Sequence, residues 1–415
     1  MVNSRKVVAL FLVSVFICGV ILSLSSSQAQ PRASNSLLPS TAATASDYAH
    51  LTKVTRSISI GQYLLTNVYD TYTIRNDGLS ALASFEILTD SVYDSKLVYL
   101  GATGGSGETL PLSKSPVTTN GYVTYDLLLS EPIAPGDSQS ITVSTCYYNL
   151  TSTSGDSSTQ SCSFQFGIYP ISHYSIDSFE CDLYLPQTAT SPTFTPQPPT
   201  TGTTSATWTQ PNVPAFSSTT LTATFTYSDA PILQMNSIAR RIIVDPWGMV
   251  TVQEDHVICN TGQIPVTTYN FRIPLNATNF TITDAFEAVS GSSVSSTTNW
   301  DGKTVNVTVS LTTNRAPLLA GDTFRYTISY QLPFSMFASE SWNNYYCFLQ
   351  AFPTQMDFLI VSETTQIILS AGYSVTSVSP NPASTLIEGM QTTLTFSDSM
   401  VSPLQQRVVQ ISYQV

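Results

Sequence analysis

Three histidines are the residues of this 415-residue chain best suited to proton transfer near neutral pH. His256 shares the parity of Val252 and Ile258, which face the core of a predicted strand. A sheet histidine satisfied by a neighbouring side chain therefore explains it better than a catalytic one. His50 lies in a predicted tether and His173 in a tyrosine-rich loop, so none of the three indicates a catalytic base.

Carboxylates offer a second route to catalysis, because a glycosidase needs only two facing acids. Glu254 and Asp255 are neighbours on a predicted strand, so their side chains point to opposite faces and cannot easily share a metal. The sequence has no Gly-x-Ser-x-Gly elbow, no phosphate-binding glycine loop and no His-Glu-x-x-His helix. We therefore expect no enzyme activity, no cofactor and no metal. A carbohydrate-active enzyme with an unrecognised acid pair is a third interpretation.

Six cysteines divide into Cys18 near the N-terminus and five in the body of the chain. No CxxC pair occurs, and no cysteine has a histidine at ligand spacing, which disfavours zinc. In an oxidising compartment the five body cysteines are candidates for disulfides. We expect one bridge in each half and one thiol left over, with the first-half pairing undetermined. These candidates are Cys146, Cys162 and Cys181 in the first half, and Cys259 and Cys347 in the second.

Four Asn-X-Ser/Thr triplets are candidate N-glycosylation sites, although threonine is abundant here and such triplets also arise by chance. Asn306 is the most informative, because the apolar residues of 305–311 alternate and the asparagine then points away from the core. The four candidates are Asn149, Asn276, Asn279 and Asn306.

The N-terminus carries an export segment. Arg5-Lys6 precedes an uncharged apolar run from Val7 to Leu24, and this order sends the following chain across a membrane. Ser27-Gln28-Ala29 has small residues at the spacing of a cleavage site, so cleavage after Ala29 is one expectation. The run is long for a cleaved signal and approaches the roughly 20 residues of a spanning helix. A signal peptide and a retained N-terminal membrane anchor therefore both stay open.

Composition agrees with an exported protein and excludes one class of partner. Only 10% of residues are charged, and the net charge is −12. No lysine or arginine occurs between Lys114 and Arg240. A groove for a phosphate backbone needs clustered cations, so we expect no nucleic-acid binding.

The body is predicted to be almost entirely β. Segments such as Leu221–Tyr227 and Tyr326–Leu332 alternate apolar and polar residues, which is typical of a strand with one buried face. Asp245-Pro246-Trp247-Gly248 predicts a type I turn between two such strands. Beyond the export segment, no stretch has sustained helical periodicity.

An internal repeat sets the number of domains. Val54–Gly78 aligns with Ile238–Gly262 without a gap, so that Arg56 matches Arg240. Farther along the chain, Ala134–Asp137 recurs as Leu319–Asp322 at almost the same offset. Two landmarks that share nearly one offset predict an all-β fold with two tandem antiparallel β-sandwich domains after the N-terminal hydrophobic helix.

Changes in composition indicate where the predicted segments begin and end. Stretches rich in serine, threonine and proline are predicted to be a tether or a loop, because they bury too little apolar surface to offset the entropy lost on ordering. The predicted segments are a signal peptide or anchor at 1–29 (apolar 7–24), a Ser/Thr-rich tether at 30–49, a first sandwich at 48–228 with a Pro/Thr-rich loop at 188–219, and a second sandwich at 229–415.

The segment 231–262 resembles ribophorin I. It combines an Arg-Xaa-Ile-Xaa-Val strand (Arg240–Val244), a Trp-Gly turn (Trp247-Gly248) and an acidic strand that runs into Asn260-Thr-Gly262. Further segments follow in the order of that family, so the resemblance covers roughly residues 50 to 415. These segments are 56–78, 135–137, 212–216, 330–333 and 345–348.

The resemblance implies a non-catalytic subunit of the oligosaccharyltransferase, with a two-sandwich scaffold beside the subunit that transfers lipid-linked oligosaccharide to asparagine. The implied partners are the membrane-embedded catalytic subunit or other membrane proteins, and the membrane itself if the N-terminal segment is uncleaved. The body would lie in the ER lumen of a eukaryote or outside an archaeal cell, and a cleaved signal would give a secreted protein. The alternative is a free-standing cell-surface binding or adhesion module.

One feature departs from the family. Ribophorin I continues from its last strand into a transmembrane helix and a cytosolic tail, whereas this sequence ends at Val415 on that strand. Three explanations stay open: the gene ends here, the sequence is a fragment, or the N-terminal segment is the membrane anchor. The divergence also fits an archaeal-type or otherwise remote relative that lacks the C-terminal helix.

Overall fold

The structure is a computed structural model that describes most of residues 48–414. The predicted export segment with Cys18, the cleavage site and nearly all of the tether lie outside the described residues. Within the described part, no helix combines the length and apolar character needed to cross a membrane. The gaps are residues 120, 229, 246–248, 287, 290–293, 299–301, 314, 337, 342–343, 351–355, 371, 390 and 406–407, and for 116–119, 338–341 and 344–350 only the backbone is described. The central residues of the predicted type I turn fall in one of these gaps.

The first half contains one short helix and fifteen strands among the described residues. The helix is α1 (Ser91–Asp94), and the strands are β1 (Ala49–Ile60), β2 (Thr66–Asn76), β3 (Leu82–Asp90), β4 (Leu97–Gly104), β5 (Thr109–Leu110), β6 (Leu112–Thr119), β7 (Tyr122–Ile133), β8 (Ser138–Tyr147), β9 (Thr151–Gly155), β10 (Thr159–Gly167), β11 (Ile176–Tyr184), β12 (Ala189–Thr195), β13 (Thr200–Thr201), β14 (Ser205–Val213) and β15 (Thr220–Ser228). They form sheets in the orders β13-β14-β11-β1-β2-β8-β4-β5, β12-β15-β10-β9 and β3-β7-β6.

The second half contains fourteen described strands and a single 3-10 turn at Phe334–Met336. The strands are β16 (Leu233–Val244), β17 (Met249–Asn260), β18 (Thr268–Pro274), β19 (Thr278–Asp284), β20 (Val294–Thr298), β21 (Thr304–Ser310), β22 (Thr323–Pro333), β23 (Ala338–Ser341), β24 (Asn344–Gln350), β25 (Ile360–Leu369), β26 (Ser374–Ser379), β27 (Ser384–Glu388), β28 (Gln391–Val401) and β29 (Val408–Gln414). Their sheet orders are β19-β22-β17-β16-β25-β28-β27, β18-β21-β20 and β23-β24-β29-β26.

The predicted all-β fold of tandem sandwiches is confirmed. Along β17, buried and half-buried residues alternate without interruption, as expected for a strand with one face in a core. Buried apolar side chains gather into two principal cores, one spanning Leu51 to Ile232 and the other Leu233 to Tyr413. The predicted domain boundary at 228/229 remains our proposal.

The sheets are mixed, which differs from the purely antiparallel sandwiches that the sequence predicts. β1 pairs with β11 in parallel, and β16 pairs with β25 in parallel, while the other ladders are antiparallel. A parallel pair needs a long crossover connection, and here the intervening strands of the same half provide it. Strict hairpin connectivity therefore does not describe either half.

The two halves share one topology. The order β14-β11-β1-β2-β8-β4 in the first half corresponds to β28-β25-β16-β17-β22-β19 in the second. The smaller sheets correspond as well, with β12-β15-β10-β9 matching β26-β29-β24-β23 and β3-β7-β6 matching β18-β21-β20. The sequence repeat is therefore the trace of a duplicated strand arrangement.

The predicted Pro/Thr-rich loop at 188–219 is wrong for most of its length, because this segment forms β12, β13 and β14. Threonine suits strands, and Ala206 and Trp208 of β14 supply a buried face. The prolines do not break the strand pairing, because they lie at strand ends or at a register shift. Pro192 lies where the β12–β15 register shifts, Pro196 follows the end of β12, and Pro211 lies near the end of β14.

Candidate functional site

Each half buries one arginine–carboxylate pair at the same place in the repeat. In the first half, Arg56 of β1 lies directly opposite Asp70 of β2. Its Nε and Nη2 donate to the two carboxylate oxygens, each over 2.7 Å. In the second half, Arg240 of β16 lies opposite Glu254 of β17, with Nε 2.9 Å from Oε1. Both pairs are almost fully buried, so each ion needs its partner to offset the cost of leaving water.

The second-half pair belongs to a larger polar cluster. The His256 ring lies 2.9 Å from Glu254 through Nε2 and 2.8 Å from the Tyr326 hydroxyl through Nδ1. Because the carboxylate can only accept, Nε2–H donates to it, and Nδ1 is left to bond with the tyrosine hydroxyl. Burial would raise the pKa of Glu254, but Arg240 and His256 outweigh it and hold this pKa below its usual range. The predicted core-facing orientation of His256 is confirmed.

Glu363 of β25 completes this cluster and is only 1% exposed. Its Oε1 accepts a hydrogen bond from Thr365 Oγ1 over 3.2 Å, whereas Oε2 has no hydrogen-bond partner among the described residues. Burial is the main cause that raises the pKa of Glu363 to about 8, against the lowering influence of Arg240. This carboxyl is therefore mostly protonated at neutral pH.

A cleft of about 220 Å³ opens above the first-half pair. Phe166 lines this cleft, with the Tyr93 ring 4.7 Å away and the Tyr147 ring 5.0 Å away, centroid to centroid. The Arg56 guanidinium lies 5.4 Å from the Phe166 centroid, and Nη1 donates to the Gly167 carbonyl over 2.8 Å. Exposed residues 218–220 form part of the rim, so the cleft meets solvent there.

A buried asparagine fixes the turn that follows β2 and its counterpart after β17. Asn76 Nδ2 donates to the Ser80 and Ile133 carbonyls, each over 2.8 Å, and Oδ1 accepts from the Gly78 amide. Asn260 makes the equivalent three bonds. Its Nδ2 donates to the Ile264 carbonyl over 2.8 Å and to the Leu318 carbonyl over 3.0 Å, and its Oδ1 accepts from the Gly262 amide over 3.0 Å.

The two cores meet at a junction organised by Gln160, which is fully buried on β10. Its Nε2 donates to the Ala230 carbonyl over 2.7 Å, and its Oε1 accepts from the Gln263 amide over 3.2 Å. A Cβ at Gly262 would lie 3.2 Å from that same Oε1, so the glycine permits the close approach. One side chain thus ties the connecting segment to the second half.

Apolar contacts extend the junction. Leu65 and Cys146 of the first half form a small buried cluster with Leu359 of the second half. The Tyr63 and Phe358 rings meet edge to face at 5.2 Å. The two halves are therefore joined by packing as well as by the chain.

The other two histidines contact carboxylates near the surface and do not gather into a site. His50 belongs to β1, not to the predicted tether, and lies 2.9 Å from both Asp177 and Asp77. Those hydrogen bonds raise the pKa of His50, with Asp177 the larger cause. His173 lies 3.2 Å from Glu86.

The predicted glycosylation sites lie at accessible positions. Asn149, Asn276 and Asn279 are exposed, and Asn306 is half-buried on β21. Asn306 alternates with the buried Val307, as expected from the pattern of that strand. Glycan occupancy at all four remains a prediction.

Four of the candidate disulfide cysteines, Cys146, Cys162, Cys181 and Cys259, are free thiols in the structure, so the bridge expected in the first half is not formed here. Cys181 of β11 and Cys146 of β8 are separated by β1 and β2, or about 14 Å at strand spacing, which is too far for a disulfide. Cys162 lies in a different sheet. Because Cys259 is free as well, the bridge expected in the second half is not formed here either, and the side chain of Cys347 is outside the described residues.

Sequence reasoning missed the buried charges. Arg56 has the parity of the buried Val54 and Ile58, and Glu363 has the parity of the buried Thr365 and Ile367. A charged residue at a core-facing position of a strand is the signal that would have identified them, because such a residue needs a partner.

The protein is therefore all-β, with two tandem mixed β-sandwiches that each bury an arginine–carboxylate pair. The chain belongs to the ribophorin I family, whose family model matches residues 49–264. No curated protein matches the chain.

Several solved structures are similar in part. They include yeast LTA4 hydrolase in complex with bestatin (TM-score 0.31, 9% identity, 51% of this chain and 34% of that one). A putative nutrient binding protein from Legionella pneumophila has a TM-score of 0.33 and 13% identity, over 44% of this chain and 67% of that one. An M1 zinc metallopeptidase from Deinococcus radiodurans has a TM-score of 0.28 and 14% identity, over 44% of this chain and 42% of that one. The chain spans about a third of the length of the yeast hydrolase. Likeness at this level carries no argument about activity.

Proposed function

We propose that this chain is a non-catalytic extracytosolic scaffold that supports protein N-glycosylation by an oligosaccharyltransferase complex. The observation that carries the proposal is the match to the ribophorin I family over residues 49–264. That range includes the whole first sandwich and the first two strands of the second. The resemblance of this chain to ribophorin I implies the complex and the non-catalytic role.

The geometry supports a structural role for the buried charges. Arg240 and Glu254 face each other within their sheet, and Arg56 and Asp70 face each other at the floor of the cleft. The junction around Gln160 suits a scaffold as well, because a partner that contacts both sandwiches needs them in a defined orientation. The proposed partner is the membrane-embedded catalytic subunit, reached from the extracytosolic side.

The proposal is tested by isolating the tagged full-length chain from native membranes in mild detergent and identifying the co-purified proteins. We expect oligosaccharyltransferase subunits to be enriched with the wild-type chain. Phe164→Asp, which places a charge in the first core, should abolish the enrichment, because burying an unpaired charge unfolds that sandwich.

Gln165→Asp is the matched control, because Gln165 is the exposed neighbour on the same strand and its replacement should leave the association intact. Reproducible absence of every oligosaccharyltransferase subunit from the wild-type preparation would sink the proposal. Ligand binding by the chain without such subunits would favour the adhesion alternative.

A further inference from the structure

We propose that the cleft above Arg56 binds a single neutral saccharide ring. About 220 Å³ is small beside the roughly 300–1,000 Å³ of pockets for drug-sized ligands, so the space suits one ring rather than an extended chain. The floor is the Arg56–Asp70 pair, and the walls are the aromatic side chains of Tyr93, Tyr147 and Phe166.

The duplication shows how this space arises. Thr145 lies opposite Val68 in the β2–β8 ladder, and Tyr330 lies opposite Val252 at the equivalent place in the β17–β22 ladder. Tyr330 is 4% exposed, and its hydroxyl lies 3.5 Å from Glu254 Oε1. The second half thus has a buried aromatic ring against its ion pair where the first half has a threonine, and the smaller side chain leaves room for a ligand.

The charge of the lining favours a neutral ligand. Arg56 already donates Nε and Nη2 to Asp70 and Nη1 to the Gly167 carbonyl. Few of its N–H groups can therefore bind an anion. Asp90 adds a further carboxylate to the lining. An anionic group would face that net negative charge. A neutral ring meets no such repulsion, and a cation is the competing class that the test below distinguishes.

The polar atoms suit a ring that carries several hydroxyls. The cleft is lined by tyrosine, threonine and serine hydroxyls, each of which can donate and accept, as sugar hydroxyls also do. Aromatic faces pack against the C–H face of a pyranose while their polar tips stay available for hydrogen bonds. The lining residues with hydroxyls include Tyr93, Thr145, Tyr147, Tyr169 and Ser218.

The inference does not rest on the proposed function, since a chain that lacks oligosaccharyltransferase partners would still contain this cleft. The test uses the full chain in a zwitterionic detergent, because a sugar-headed detergent would compete. Mannose, glucose and N-acetylglucosamine are the probes, and saturation-transfer NMR with titration reports binding. We expect at least one of the three to bind with a dissociation constant in the millimolar range, on the order of −4 kcal/mol.

Thr145→Tyr, which copies the residue of the second half, should weaken that binding at least about tenfold. Thr142→Tyr is the matched control. Thr142 lies on the other face of β8 and is half-buried, so binding should stay unchanged. Tyr93→Ala provides a second route if the first variant fails to fold, because Tyr93 belongs to the surface helix α1 and its loss removes one wall.

Equal binding by wild type, Thr145→Tyr and Tyr93→Ala would overturn the inference. It would also be overturned if none of the three sugars bound the wild-type chain at concentrations up to about 100-fold above the expected dissociation constant. Tetramethylammonium is the contrasting probe. Its binding in place of the sugars, with loss in the same variants, would reassign the cleft to a cation and overturn the saccharide class.

Discussion

At the scale of single residues, Glu363 is a carboxyl whose burial changes its protonation. It is buried beside Arg240 and Glu254, and burial raises its pKa to about 8. An acid whose pKa is higher in the folded state keeps a proton that the unfolded chain loses above about 4.5. Between these two values the folded state holds more protons, so its stability must fall as the pH rises.

Glu363→Gln should remove that dependence, because glutamine is neutral at every pH and has nearly the same shape. Relative to wild type, the variant should gain stability by up to about 1.4 kcal/mol for each pH unit between 5 and 8. Urea unfolding at several pH values measures the difference. Glu388→Gln, at an exposed position of β27, is the control and should track wild type. A constant difference between Glu363→Gln and wild type across this range would contradict the prediction.

At the scale of elements, the asparagine turns explain why two short sequence landmarks recur. Gly136 and Gly321 adopt φ of 84° and 82°, which only glycine adopts without strain. Their amides donate to the carbonyls of Asn76 and Asn260, over 2.7 Å and 2.9 Å. Each asparagine thus binds two separate turns, which fixes the end of one strand against the start of another.

Replacing either asparagine by alanine should therefore destabilise its own half. Asn76→Ala and Asn260→Ala each lose three side-chain hydrogen bonds and leave buried backbone groups without partners, which costs about 2–4 kcal/mol. Chemical denaturation of the single variants measures this loss. Asn270→Ala, at an exposed position of β18, should cost less than about 1 kcal/mol. Losses as small as that in both turn variants would refute the role of the asparagines.

At the scale of the whole molecule, the junction determines whether two sandwiches act as one body. The Gln160 side chain makes a hydrogen bond to Ala230 of the connecting segment and another to Gln263 of the second half. Its amide is buried, so these bonds have no competition from water. The apolar cluster of Leu65, Cys146 and Leu359 adds packing across the same region.

Gln160→Ala should loosen the connecting segment, because two backbone groups lose their partner at a cost of about 1–2 kcal/mol. Limited proteolysis near residues 230–233 should then be about fivefold faster or more, since cleavage follows the population of opened chains. Gln165→Ala, on the exposed face of the same strand, should be cut at the wild-type rate. If both variants resist protease as well as the wild type, the apolar contacts alone hold the junction.

Sequence reasoning predicted the elements better than the charged interior. Period-2 patterning and the gapless match of Val54–Gly78 to Ile238–Gly262 depend on local order along the chain, so they predicted the strands and their duplication. The same reasoning failed at 188–219, because a composition rich in proline and threonine hides the strand whose buried face is Ala206 and Trp208. Composition does not reveal which backbone amides find a partner in a neighbouring strand.

The sequence by itself determined the all-β class, the tandem repeat, the inward parity of His256 and the resemblance to ribophorin I. All of these follow from residue order within one segment or between two aligned segments. Only the tertiary structure decided that Arg56 meets Asp70, that Glu363 joins Arg240, and that Cys146 and Cys181 lie too far apart to bridge. Arg56 meets Asp70 through the register of the β1–β2 ladder. Glu363 approaches Arg240 through the parallel pairing β16–β25, which brings together residues more than a hundred positions apart. Pairing over such a distance is set by packing of the complete sandwich, not by a local pattern.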